Sequence, residues 1–133
     1  MATIAPDGRP RLVPICFVVI DDVVWTPLDE KPKAVVDVRD LARVRDIERD
    51  ARVTLLVQRW SEDWSALGWL RVDGEAELVA TAGPAVVAAL RAKYPQYAGH
   101  DLEGRPMLAI AIGAVTAWAA SPAQSDAAGR TVE

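Results

Sequence analysis

A chain of 133 residues holds one ordinary domain and is too short for two; with 51% hydrophobic and 26% charged residues, it is neither disordered nor collagen-like. One cysteine excludes an intramolecular disulfide framework, and one histidine excludes a multi-histidine metal centre, so the chain has little acid–base or metal chemistry of its own. The net charge of −4 gives no global attraction to nucleic acid or to an anionic membrane.

In chain order, Ala2-Thr3-Ile4 reads as a short strand, and Asp7-Gly8 with Pro10 as turn chemistry. Arg11 to Ile20 is nearly continuous in apolar residues, as a strand buried on both faces would be. Asp21-Asp22 turns the chain into a second strand, Val23-Val24-Trp25-Thr26, and the two prolines between Pro27 and Lys33 mark a loop. From Asp37 to Asp50 the period is helical, with Leu41, Val44 and Ile47 on one face. Arg52–Arg59 is a strand, and Ser61-Glu62-Asp63 a loop. Asp73-Gly74, between Gly68–Val72 and Glu75–Val79, predicts a two-residue hairpin. Gly83-Pro84 opens a helix that carries Val86, Leu90 and Tyr94 on one face and stops at Pro95. Met107–Ile112 and Val115–Trp118 form a closing strand bent near Gly113. Five or six strands, two helices and short connections predict a small antiparallel barrel with helices at its rim.

Few residues carry chemistry. His100 lies in a loop without a partner at ligand spacing, and Cys16 lies mid-strand as a small hydrophobe, so no metal site is expected. The segment Lys31 to Arg59 holds eight basic and five acidic residues, a local charge of +3 against −7 for the rest of the chain. Lys31 and Lys33 in the loop, with Arg39 and Arg43 at the helix start, either cup an anion such as a phosphate or decorate a solvated helix face. Trp60, Trp64 and Trp69 fall within ten residues. They suit a subunit interface or a wall beside a planar ligand, and both hold if a ligand binds between subunits.

The ordered set Ala5-Pro-Asp-Gly-Arg-Pro-Arg-Leu-Val-Pro14, Trp25-Thr26 leading to Lys31-Pro32-Lys33, Leu41 to Leu55, Glu62-Asp63-Trp64 and Trp69-Leu-Arg-Val-Asp-Gly74 resembles the pyridoxamine 5′-phosphate oxidase-like superfamily. It is most similar to the branch of probable coenzyme F420-dependent (deazaflavin) oxidoreductases. The resemblance covers Thr3 to Trp118. It implies a mainly β fold with α, an FMN-binding split antiparallel β-barrel with two helices at the rim. That single domain is expected over 1–120, without the helix and fuller first strand that relatives carry at the start, and 121–133 is expected to be a flexible tail.

The resemblance also implies a cytoplasmic homodimer with cofactor sites at the subunit interface and a small-molecule substrate, and no nucleic-acid, membrane or metal partner. Lys31, Lys33, Arg43 and Arg45 would hold the cofactor phosphate. Val13, Pro14, Ile15 and Thr26 would lie near the ring system, and Trp60 and Trp64 would come from the other subunit. The expected cofactor is F420, with FMN as the alternative, and the expected activity is hydride transfer to a small organic compound. A non-catalytic cofactor or tetrapyrrole binder is the remaining alternative. No catalytic side chain is assigned, because the cofactor carries the hydride. Two features depart from the pattern: Arg43 and Arg45 stand about 200° apart on an ideal helix, and Asp46 occupies a position where a neutral asparagine is expected.

No apolar run reaches the roughly 18–20 residues of a membrane helix. The start of the chain lacks the basic and apolar regions of a signal peptide. A single cysteine fits a reducing compartment.

Overall fold

A computed structural model describes residues 1–28 and 37–121. Seven strands, β1 (Ala2–Ile4), β2 (Pro10–Leu12), β3 (Val18–Ile20), β4 (Val23–Pro27), β5 (Arg52–Arg59), β6 (Gly68–Val79) and β7 (Met107–Ala119), pair antiparallel in the order β2-β1-β5-β6-β7-β4-β3. Two helices, α1 (Ala42–Arg49) and α2 (Pro84–Lys93), complete the regular structure.

The expected barrel is not formed. β2 and β3 end the strand order and do not pair with each other, so the sheet stays open. The run Arg11–Ile20, read as one long strand, is two three-residue strands at opposite edges of the sheet. Pro14 lies between them and has no N–H to donate to a ladder. A flat sheet would separate the two edges by six spacings of about 4.8 Å, roughly 29 Å in all. The six residue steps from Leu12 to Val18 span at most about 22 Å. The sheet is therefore strongly curled, and residues 13–17 bridge its edges as an extended strap without closing the hydrogen-bonded circuit. Val13, Ile15 and Phe17 turn inward and Pro14 and Cys16 outward, which explains why apolar content alone suggested a strand buried on both faces.

Residue alternation along the strands sends the helices to opposite faces. Val24, Leu108 and Ile110 point to one face and join Val44 and Ile47 of α1, Val53 and Leu55 of β5, and Val72 and Ala76 of β6. Their neighbours Trp25 and Met107 point to the other face and join Val18, with Val86, Val87 and Leu90 of α2. Both helices read correctly from their apolar spacing, although Val38–Asp40 is a separate 3₁₀ turn capped by the Asp37 carboxylate. Pro84 stands in the first turn of α2, and after Pro95 the chain continues only as 3₁₀.

The Asp73-Gly74 hairpin is also corrected. β6 runs straight through it for 12 residues, paired with β5 on one side and β7 on the other. The register steps from Asp73↔Ala114 to Gly74↔Ile112, leaving Gly113 as the extra residue of a β-bulge. The bend expected near Gly113 is that bulge, within one continuous β7. The genuine tight turns are Asp7-Gly8, where Gly8 has φ +83°, and Asp21-Asp22, where both residues adopt the left-handed conformation of a type I′ turn (φ 51° and 60°).

Candidate functional site

The strap, β4 and α1 meet on one face of the sheet. Val13, Ile15, Phe17, Leu28 and Leu41 are partly buried against the cluster that contains Val24 and Val44. Both ends of the strap are tied. The Val13 N–H donates to the Met1 carbonyl at 3.0 Å. At the other end the Phe17 N–H donates to the Tyr94 hydroxyl at 3.0 Å, and that hydroxyl donates to the Phe17 carbonyl at 3.2 Å. Lys93 Nζ donates to the same carbonyl at 2.7 Å and lies 3.8 Å from the centroid of the Phe17 ring. Thr26 faces the same side as Val24 and is buried opposite Leu108.

Arg43 and Arg45 lie in the first turns of α1, Arg43 half-buried and Arg45 exposed, and neither side chain has an ion pair or hydrogen bond among the described residues. Lys31 and Lys33 lie outside the described residues. The other helix arginine, Arg49, is engaged, and Arg39 approaches Glu48 at 3.9 Å. Leu41 caps α1 without a side-chain hydrogen bond, so the first-turn N–H groups add their partial positive charge near Arg43.

Asp46, which stands where a neutral asparagine is expected, is engaged elsewhere. It is 1% exposed and points to the hairpin formed by β1 and β2. Oδ2 accepts from Thr3 Oγ1 at 2.9 Å and from Arg11 Nε at 2.7 Å, and Oδ1 accepts from Arg49 at 3.5 Å. Arg49 also donates to the Ile4 carbonyl. Burial by itself would raise the carboxyl pKa, but the bonds from Arg11 and Thr3, the Arg11 charge and the bond from Arg49 outweigh it and hold the pKa below the ordinary range. With two arginines against one buried carboxylate, Asp46 takes little positive potential from Arg43 and Arg45. Nothing in the sequence linked Asp46 to Thr3 or Arg11, which are 43 and 35 residues away.

Among the described residues, most of the large exposed apolar side chains lie at the far ends of β5, β6 and β7 and in the β5–β6 connection. On the face opposite α1, and beyond the reach of α2, stand Leu56, Trp69 and Trp118. Trp69 is the direct cross-strand partner of both Gln58 and Trp118, and Leu56 is opposite Arg71. Leu56 is 60% exposed and Trp118 48%. A shallow groove of about 310 Å³ runs between Leu56, Gln58, Trp69 and Arg71. Trp60 and Trp64 extend this end in the β5–β6 connection, 70% and 75% exposed. Trp118 was missed in the sequence because only the β6–β7 register places it beside Trp69.

Among the described residues, no group of three or more His, Cys, Asp or Glu could hold a metal ion, and no helix is long and apolar enough to cross a membrane.

The structure is a curled antiparallel sheet with one helix on each face, an apolar strap at its open side and an uncovered aromatic end. The chain belongs to the pyridoxamine 5′-phosphate oxidase family, whose model matches residues 1–119. No curated protein sequence matches the chain. Solved structures share the fold at low identity. An F420 reductase is 19% identical, with a TM-score of 0.60 over 86% of this chain and 85% of that one. An FAD-binding protein from Mesorhizobium loti is 16% identical, with a TM-score of 0.61 over 87% and 81%. The heme storage protein HutZ from Vibrio cholerae is 15% identical, with a TM-score of 0.61 over 89% and 82%. The fold thus serves deazaflavin, flavin and heme proteins, and no one of these branches is favoured.

Proposed function

We propose that this chain binds a large, planar, anionic cofactor of the flavin or tetrapyrrole type, in a site completed by a second copy of the chain. The observation that carries the reading is the aromatic and aliphatic band of Leu56, Trp69 and Trp118 on the part of the sheet face that α2 leaves uncovered. Exposed apolar surface of this kind in a small domain marks an interaction site, and a sheet face suits a second copy of itself. Trp60 and Trp64, both exposed, would then reach across to the other subunit. Arg43 and Arg45, with the uncapped start of α1, suit a phosphate or carboxylate of the ligand. The strap segment Val13-Pro14-Ile15, with Thr26 of β4, would flank the ring.

A flavin supplies hydride transfer when bound, and a tetrapyrrole can simply be held. In either case this chain binds the anion, orients the ring against apolar side chains and excludes water. The locally positive segment from Lys31 to Arg59 also suits the more highly charged F420, so this cofactor is the third ligand to test. Titration of the purified chain with FMN, hemin and F420, followed by anisotropy or absorbance, separates the three. FMN or hemin is expected to bind with a submicromolar Kd, and the double variant Arg43→Ala/Arg45→Ala is expected to weaken that binding by about 1–3 kcal/mol, the scale of a lost charge-assisted hydrogen bond. Binding of F420 alone would restore the deazaflavin reading. Binding of none of the three would remove the proposal.

A further inference from the structure

The hairpin β1–β2 is joined to the sheet differently from every other strand pair. β5 and β6 pair at eight positions and β6 and β7 at twelve, whereas β1 meets β5 only at Ala2↔Thr54. Beyond that point β1 diverges, and an open cleft of about 400 Å³ separates Ile4 and Pro10 from Arg52 and Gly74. What backbone pairing does not supply, side chains do. The Asp46 carboxylate grips Thr3 of β1 and Arg11 of β2, Arg49 grips the Ile4 carbonyl, and Met1 is buried in the α1 cluster. Every polar link between the hairpin and α1 therefore passes through Asp46 or the arginine bonded to it.

The other end of the same segment is fixed. Phe17 is held by Tyr94 and Lys93, and beyond Val13, which still pairs with Met1, the strap contains Pro14 and no strand pairing as far as Phe17. A unit weakly paired at one edge, tied to α1 by the buried Asp46 carboxylate and the Arg49 bonded to it, and followed by an unpaired strap has the parts of a hinged gate.

We propose that the β1–β2 hairpin opens as a unit about the strap, with Asp46 as its latch, while β5, β6 and β7 remain folded. Opening uncovers the α1 side of the core, where Val44, Ile47 and Val53 lie, and widens the cleft beside β5. The proposal is independent of which ligand the chain takes. A detached two-stranded hairpin this short does not hold its own ladder in water, so each opening exposes its amides to exchange.

Native-state hydrogen exchange on the whole chain tests this, because subglobal openings show little denaturant dependence and global unfolding shows a steep one. Amides of Ala2–Leu12 are expected to exchange faster than those of β6 and β7, and their rates are expected to be nearly insensitive to low urea. Asp46→Asn is expected to speed hairpin exchange at least about tenfold, the equilibrium cost of a lost bond to a charged group. Arg11→Gln, at a partly exposed position, is expected to do the same to a smaller extent and guards against a failure of the first variant to fold. Hairpin amides that match β6 and β7 in rate and urea dependence would overturn the gate. Hairpin rates unchanged in Arg11→Gln, or in a folded Asp46→Asn, would overturn the latch.

Discussion

Gly74→Ala is expected to destabilise the fold by about 3 kcal/mol, the upper part of the range for overpacking a closely fitted site. A Cβ at this position would fall well inside contact distance of the Ala111 carbonyl oxygen and 3.1 Å from Ile110 Cγ2. The obstacle is backbone, so no side chain can swing aside. Relief requires β6 and β7 to move apart at the point where the bulge at Gly113 brings them close, and these strands share the longest ladder in the sheet. Urea unfolding of the two proteins measures the loss. Gly83→Ala serves as the comparison, because a Cβ there meets nothing within 4 Å. Equal stability of the Gly74 and Gly83 variants would contradict the close approach.

Asp46→Ala is expected to cost about 3 kcal/mol, at the low end for breaking a buried ion pair. The low end applies because Arg11 and Arg49 keep about two-fifths of their side-chain surface in water and are not stranded as buried charges. Thr3, 2% exposed, loses its acceptor outright. Asp46→Asn retains an acceptor for Thr3 and is expected to cost less. The same carboxylate shapes the pH dependence. Its pKa in the folded chain is depressed, so its contribution is complete above the unfolded value of about 3.9 and disappears as pH falls through the folded value. Asp50 adds to this in the same direction, held at about 2 by its hydrogen bonds from Arg52. Stability is expected to be level with respect to these groups from pH 7 to about 5 and to fall below about 4. In Asp46→Asn the fall is expected to be shallower, and an identical acid limb in both proteins would contradict the role of Asp46.

Local signals made part of this molecule legible in advance. β5 and α2 were plain because a β-branched run bounded by charges, and a proline-initiated helix with a regular apolar face, need no distant partner to be understood. The strap misled because apolar residues in alternation look the same whether or not a ladder accompanies them, and Pro14 was the only local hint that it does not. Asp73-Gly74 misled because a small residue beside a polar one suits both a reversal and a crossing of close backbones. Residues far apart in the chain were hardest. Asp46 with Thr3 and Arg11, and Trp69 with Trp118, become neighbours only through sheet register and helix placement. Of the basic residues singled out for the anion, Arg43 and Arg45 stand two positions apart on α1, about 200° around it, with side chains unpaired among the described residues, and Lys31 and Lys33 lie outside those residues.

The central claim is that two copies of the chain together hold one kind of planar anionic cofactor. Sedimentation velocity, recorded at the absorbance of added FMN or hemin, tests both parts at once. The expected result is cofactor moving in a single boundary with twice the 14.4 kDa mass of one chain. Cofactor left unsedimented, or carried by a particle of one chain's mass, would contradict the claim.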